Sequence, residues 1–255
     1  MATIFPFRAA RPQATLASEV AAPPYDVLSS DEARTAVDGN PHSFLHVTKS
    51  EVDMPVELSI YDSSVYEKAK SNLEEMLKSG VLFQDATPCY YIYELVMDER
   101  SQTGLVCCSS VDDYENDIIK KHEFTRPEKE QDRINHIKVT RAQTGNVFLA
   151  YRNVASLDQL IKDWKKNNAP AYDFKAADGI SHRIWVIAAE EAVNSITTIF
   201  EKDVPCTYIA DGHHRAASAA KVRAALGDAA GPEANGFLTT LFPAAELKIM
   251  PYNRV

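Results

Sequence analysis

The segment YIADGHHRAASAAK, from Tyr208 to Lys221, places two histidines and an arginine between a strand-like run and an alanine-rich helical stretch. The first N–H groups of a helix have no helical partner, and the helix dipole favours negative charge there. Gly212 lets the backbone turn tightly, and Arg215 offers a planar fork suited to phosphate. We therefore expect an anion at this helix start that the sequence does not supply itself. The candidate anion-binding residues are Gly212, His213, His214 and Arg215.

Two other interpretations of DGHHR stay open. The polar residues can simply cap and solvate the helix start. They can also ligate a metal ion, but adjacent histidines rarely converge on one metal, and no HxxxH or CxxC partner is present. No metal site is predicted.

A second cluster lies in the segment KKHEFTRPEKEQDRINH, where histidine and arginine again precede a capped helix. Glu123 can serve as a general base and Arg126 as an anion clamp. The alternative is a solvated, charge-paired helix. Since like-charged clusters repel unless an anion lies between them, we expect this block and DGHHR to face one cleft. Arg126 and Arg133 are the candidate phosphate-binding residues, His122 and His136 the candidate substrate-lining residues, and Glu123 the candidate base.

A third candidate is the loop APPYDV, in which two prolines hold Tyr25 and Asp26 in a stiff backbone. A fixed carboxylate suits a substrate or magnesium contact, so Asp26 is a second candidate base and Tyr25 a substrate-lining residue. A plain turn is the alternative. TRAQTG, residues 140–145, follows the charged helix and can line the same cleft.

Composition limits the classes of function. The 255 residues carry 27 Lys+Arg and 36 Asp+Glu, a formal net charge of −9, which disfavours extensive nucleic-acid or anionic-membrane binding. The four cysteines have no CxxC spacing, and no signal-peptide core or run of about 18 apolar residues occurs. A cytoplasmic protein acting on small molecules is expected; the oligomeric state is open.

Irregular alternation of strand-like and helical segments predicts an α+β fold, residues 1–255 as one unit, with a mixed sheet, hairpins and packed helices. The run SFLHVT, residues 43–48, has strand composition, and residues 213–226 are predicted to be a helix. FLTTLF and LKIMPYNRV are predicted closing strands. Because the last run is apolar to its end, we expect the chain to be the N-terminal part of a longer protein.

Seven blocks together resemble a bacterial family of uncharacterised proteins, domain of unknown function 1015, over nearly the whole chain. Among them HEFTRP and DGHHR are the most specific. The blocks are PFRAARP, AAPPYDVLS, NPHSFLHVT, SQTGLVCCSSVDDYE, IKKHEFTRPEKEQDRINH, TGNVFLAYR and YIADGHHRAASAA.

The strand, DGHHR turn and helix near residues 205–227 also resemble, more distantly, the phosphate-binding turn of the ParB/sulfiredoxin superfamily, whose free-serine kinases phosphorylate a serine hydroxyl. This resemblance implies a nucleotide-binding module in which DGHHR holds phosphates and Asp211 orients them or a magnesium ion. It implies ATP or ADP with Mg²⁺ as cofactor and a small hydroxyl metabolite as substrate. The alternatives are a non-catalytic ParB-like nucleotide-binding or regulatory module, and a structural protein.

Overall fold

The computed structural model describes residues 1–249, and within them the chain forms an α+β fold. The strands are β1 (Ile4–Phe5), β2 (Ala10–Pro12), β3 (Leu82–Gln84), β4 (Tyr90–Met97), β5 (Arg100–Ser110), β6 (Ile119–Lys120), β7 (Val147–Tyr151), β8 (Tyr172–Lys175), β9 (Ser181–Ile187), β10 (Thr207–Asp211) and β11 (Gly236–Pro243). The α-helices are α1 (Ala17–Val20), α2 (Ser30–Val37), α3 (Leu45–Thr48), α4 (Ser63–Lys78), α5 (Val111–Glu115), α6 (Pro127–Thr140), α7 (Ala155–Asn167), α8 (Glu190–Asp203) and α9 (His213–Leu226).

The main sheet is mixed, as predicted. Its strand order is β6-β10-β7-β11-β5-β4-β9-β8, and β1 also pairs with β5. The pairs β6/β10 and β7/β11 are parallel, while the other pairs along this path are antiparallel. Both predicted hairpins are present, β4–β5 and β8–β9, and β2 with β3 makes a separate two-stranded sheet.

Two apolar clusters hold the elements together. The larger cluster packs side chains of the main sheet against α7, α8 and α9, and it includes Leu149, Phe200 and Ala216, each fully buried. The smaller cluster joins α1, α3, α4 and β3 through residues such as Val47 and Leu73. Helix α6 packs against both α4 and α9, so it connects the smaller cluster to the end of the sheet where α9 begins.

Two sequence-based predictions of strands differ from the structure. Residues 43–48 are not a strand, because residues 45–48 form α3 with Leu45 and Val47 buried. A six-residue apolar run has no periodicity that separates a buried strand from a buried helical turn. The predicted closing strand LKIMPYNRV forms no strand over residues 247–249, and its remaining residues lie outside the described part of the chain.

Among residues 1–249, no helix combines the length and apolar character that crossing a membrane requires.

Candidate functional site

The site is built around the junction between β10 and α9. Gly212 has φ of 93° and ψ of 28°, a left-handed conformation that side-chain-bearing residues rarely adopt. A Cβ atom there would lie 3.2 Å from Nη1 of Arg215 and 3.3 Å from Cα of Val147. Glycine is therefore required both by the turn and by the close approach of the neighbouring strand.

The first turn of α9 leaves backbone donors available for a ligand. The amides of Arg215 and Ala216 both donate to the carbonyl of Gly212, at 2.9 and 3.1 Å. The amides of His213 and His214 precede the first residues that can donate within the helix, as at any helix start. Together with the helix dipole, these two N–H groups favour an anion at this end of α9.

The segment before α6 lies directly against the start of α9, which confirms that the two blocks share one region of the surface. The amide of Arg126 donates to Nε2 of His214 at 2.9 Å. Oε2 of Glu123 lies 3.5 Å from Nδ1 of His213. The His122 ring meets the His213 ring edge-on, with 4.5 Å between ring centroids. We call residues 122–126, the connection that carries these contacts, the HEFTR turn.

Glu130 on α6 holds the HEFTR turn in place, and sequence reasoning did not single it out. Its carboxylate is buried and accepts hydrogen bonds from Oγ1 of Thr125, at 2.7 Å, and from Nζ of Lys221 on α9. Its backbone carbonyl accepts a hydrogen bond from Oγ of Ser218 at 3.1 Å. Burial of a carboxylate requires such partners. No local sequence pattern indicates the pairing of Glu130 with Lys221, because the two residues are 91 positions apart.

His213 is the most enclosed of the candidate residues at the helix start. Its side chain is 4% exposed, and its Nε2 atom is buried without a hydrogen-bond partner among the described residues. Burial, and then the neighbouring His122, lower the pKa of His213 below its ordinary value, so the neutral ring is favoured. An unpaired buried polar atom costs about 1–3 kcal/mol. A ligand that supplied a partner for Nε2 would recover part of that cost.

Arg215 is held by groups of the chain itself, which corrects the expectation that its anion is not supplied by the sequence. Its guanidinium donates to the carbonyl of Asn146, and its Nη2 atom lies 3.2 Å from Oδ2 of Asp26 and 3.4 Å from Oδ2 of Asp211. The side chain is only 13% exposed. Asp26 therefore occupies a position at Arg215 that a phosphate oxygen could take.

Tyr25 lies close to two of the three arginines predicted to bind phosphate, Arg133 and Arg215. Its ring centroid is 3.9 Å from the guanidinium carbon of Arg133 and 5.9 Å from that of Arg215. Burial raises the pKa of Tyr25, so its hydroxyl stays protonated at neutral pH. Arg133 also pairs with Asp132 at 2.7 Å. The loop of residues 22–27 thus covers Arg133 and leaves it less free for a ligand than expected.

His136 is buried and holds two helices together, which indicates a structural role. Its side chain is 3% exposed, and its Nε2 atom donates to the carbonyl of Val47 at 2.9 Å, joining α6 to α3. Burial, and then the charge of Arg133, lower the pKa of His136 to about 4. The ring also borders a small cavity, so the predicted substrate-lining position is near the site but inside the core.

This cavity lies behind Tyr25. Its volume is about 30 Å³. Its walls include Thr144 and Gly145, which belong to the TRAQTG segment predicted to line the cleft. Such a volume admits a few water molecules at most, whereas ligand pockets span roughly 300–1,000 Å³. The cavity is therefore too small for a ligand of more than a few atoms.

A shared metal centre is not formed by these side chains. Within residues 1–249, no three His, Cys, Asp or Glu residues lie where they could hold one ion together. The carboxylates of Asp26 and Asp211 both lie within 3.4 Å of Nη2 of Arg215, which offsets their charge.

Comparison with known protein families identifies the family of this chain. A family model described as "Protein of unknown function (DUF1015)" matches residues 4–255. Neither the curated proteins nor the solved structures contain a match to the chain. The matched residues include the HEFTR turn, the loop of residues 22–27 and the start of α9, and the chain therefore belongs to the DUF1015 family.

Proposed function

We propose that this protein is a nucleotide-dependent phosphotransferase that moves a phosphoryl group from ATP or ADP to a small hydroxyl metabolite, with free serine as the first acceptor to test. One observation carries the proposal. Two segments 88 residues apart, the HEFTR turn and the start of α9, bring histidines, arginines and carboxylates together around open helix N–H groups. Phosphoryl transfer needs this kind of positioning and charge neutralisation more than covalent participation by the protein.

The phosphates have defined partners in this proposal. The amides of His213 and His214 bind phosphate oxygens at the helix start, where the dipole favours them. Arg126, whose guanidinium extends from an exposed residue of the HEFTR turn, offsets the charge of the transferred group. Arg215 contributes once the Asp26 carboxylate gives way to a phosphate oxygen. Arg133 contributes only where the loop of residues 22–27 moves aside.

The transfer step needs one proton acceptor. The acceptor hydroxyl attacks the terminal phosphorus, the bond to the leaving nucleotide oxygen breaks, and the hydroxyl proton passes to a carboxylate. Asp26 and Glu123 are the two candidates, and they lie on different sides of the α9 start, at Arg215 and His213 respectively. Variants of each carboxylate therefore distinguish the two roles.

In this proposal Mg²⁺ binds together with the nucleotide. Mg²⁺ is usually held by one or two carboxylates together with substrate phosphates. The carboxylate of Asp211 is 69% exposed at the end of β10, and Asp26 is beside it, so these two side chains suit that role. When bound, the ion would neutralise phosphate charge; all other roles described here belong to side chains and amides of the chain.

A second candidate function is a non-catalytic nucleotide-binding module. It is favoured by one observation: Asp26 is engaged with Arg215 and Tyr25 lies over Arg133. In such a module, a nucleotide would displace the loop of residues 22–27, and a partner would recognise the changed conformation.

The test has two stages. Calorimetric titration with ATP and with ADP, each with Mg²⁺, measures binding by wild type. Phosphorus NMR then follows transfer to serine, threonine, homoserine and glycerol. Binding with transfer supports the kinase, and binding with no transfer to any acceptor supports the regulatory module. Absence of binding rejects both and leaves DGHHR as a helix cap.

Two isosteric variants identify the base. Asp26→Asn and Glu123→Gln each keep size and remove proton-accepting ability, and loss of a general base lowers turnover by roughly 10²–10⁴-fold. Only the variant of the true base should show that loss while still binding nucleotide. Glu201→Gln on α8 is the matched control, because Glu201 is exposed and the main contacts of α8 are with α7 and β1.

A further inference from the structure

The aromatic ring of Phe124 is the most exposed of its kind in the described part of the chain. Its exposed fraction is 98%, against 53% for Tyr61, the next aromatic residue among the large exposed hydrophobic side chains. Single exposed apolar residues are common on surfaces. A phenyl ring that contacts almost nothing is unusual, since aromatic rings contribute most when their large apolar area is buried.

Residues on both sides of Phe124 contact α9 or α6. Its preceding neighbour, Glu123, lies 3.5 Å from Nδ1 of His213. Two residues later, the amide of Arg126 donates to His214. Thr125, between them, donates to the buried carboxylate of Glu130. The ring therefore projects from an anchored turn, and its exposure does not come from a long unattached loop.

The position of Phe124 beside the proposed phosphate site restricts what can cover it. The adjoining surface offers the N–H groups of His213 and His214 at the positive end of the α9 dipole, with the exposed residue Arg126 in the same turn, so it can hold an anion beside the Glu123 carboxylate. A ligand that meets both features has a charged phosphate end and a flat apolar ring close to it. A purine nucleotide has this chemistry, with one ribose linking the two parts.

We infer that Phe124 is the stacking platform for the nucleobase of a nucleotide whose phosphates lie at the start of α9. This inference rests on the proposed function and extends it by assigning the residue that selects a nucleotide over a simple polyphosphate. Stacking of bases on aromatic side chains tolerates different bases, because every base has a π-face. Phe124 should thus favour nucleotides as a class and discriminate weakly among purines.

The test compares two ligands in calorimetric titrations with Mg²⁺: ATP, and inorganic tripolyphosphate, which has the phosphates without the base. In Phe124→Ala, ATP affinity should fall about tenfold, the scale of one lost stacking contact. Tripolyphosphate affinity should stay as in wild type. Phe124→Trp keeps a platform and should retain ATP binding, with indole fluorescence quenched by ATP and unchanged by tripolyphosphate. Because the ring is 98% exposed, neither variant endangers the fold.

Val56→Ala is the matched control, because Val56 is also apolar and 70% exposed but belongs to the segment between α3 and α4. It should change neither affinity. Equal ATP affinity in wild type and Phe124→Ala would overturn the stacking role while leaving the phosphate site standing. The stacking role is also overturned if Phe124→Ala alters only self-association, since another copy of the chain would then be what covers the ring. Failure of wild type to bind either ligand would overturn the proposed function and, with it, this inference.

Discussion

The backbone amide of Arg126 donates a hydrogen bond to Nε2 of His214, 2.9 Å away. An N–H donor requires a lone pair on the acceptor, so Nε2 carries no proton and the neutral ring has its proton on Nδ1. His214 thus fixes the HEFTR turn to α9 through one ring nitrogen and keeps the other as a donor. The link places Arg126 at the helix start without using its guanidinium.

Replacing His214 by alanine should loosen the HEFTR turn while leaving α9 folded. One hydrogen bond contributes about 1 kcal/mol net, which corresponds to roughly five- to tenfold faster exchange of the Arg126 amide. Hydrogen exchange resolved to residues 122–126 measures this change. His214→Gln keeps an acceptor of similar reach and should exchange more slowly than His214→Ala. Equal exchange in wild type and His214→Ala would show that this link does not hold the turn.

Gly212→Ala should destabilise the protein more than the same change at Gly80. Both glycines have positive φ, 93° and 79°, so alanine pays a conformational cost at each. A Cβ at Gly80 meets nothing within 4 Å, whereas at Gly212 it meets the Val147 backbone at 3.3 Å. We expect losses of about 1 kcal/mol at Gly80 and roughly 2–3 kcal/mol at Gly212.

Urea unfolding of both variants at one pH measures these losses, and their difference isolates the crowding against Val147 and the Arg215 side chain. Gly80 follows α4 and serves as the matched control for backbone strain alone. Similar losses for the two variants would mean that β7 shifts to accommodate a methyl group at the site.

Local signals made the candidate site accessible to sequence reasoning. Residues 213–226 form the predicted helix, because Gly212 and Gly227 bound an alanine-rich run that few other structures suit. Pro127 opens α6 as predicted, since its missing N–H is not needed at the first helical position. The contact between the two histidine-containing blocks was predicted from charge, because two like-charged clusters were expected to share one anion.

The sequence does not indicate which side chains become partners when folding brings distant segments together. Asp26 precedes Arg215 by 189 positions, and no local pattern indicates that its carboxylate would reach the guanidinium. Burial of Glu130 depends on Lys221 and Ser218 from another helix. The short α3 was missed for a related reason, because tertiary burial of Leu45 and Val47 overrides the β-propensity of the segment.

Asp26→Asn should strengthen binding of inorganic tripolyphosphate. The Asp26 carboxylate competes with a phosphate oxygen for Nη2 of Arg215, 3.2 Å away, and the uncharged amide competes less. Since Asp26 is about one-third exposed, solvent screens the pair and limits its worth to about 0–1 kcal/mol. The expected gain is thus up to about fivefold in affinity by calorimetry. Weaker binding would instead make Asp26 part of the binding surface.

His136 should make stability depend on pH in a defined window. Its pKa is lowered to about 4 in the folded protein by burial and by Arg133, from an ordinary 6.5. Between these values the unfolded chain binds a proton that the folded one excludes. Stability is therefore complete above about pH 6.5 and falls as the pH drops toward 4, by roughly 3 kcal/mol for this shift.

His136→Gln tests this contribution, because an amide N–H can still donate to the Val47 carbonyl but does not titrate. Carboxylates elsewhere also affect acid stability, so the quantity to compare is the difference in free energy of unfolding between wild type and variant, measured by urea at pH 7 and pH 4. Relative to wild type, the variant should gain roughly 3 kcal/mol in free energy of unfolding between pH 7 and pH 4. A difference that stays constant would show that the protonated ring is accommodated, with α3 moving away from α6 or solvent reaching the imidazole.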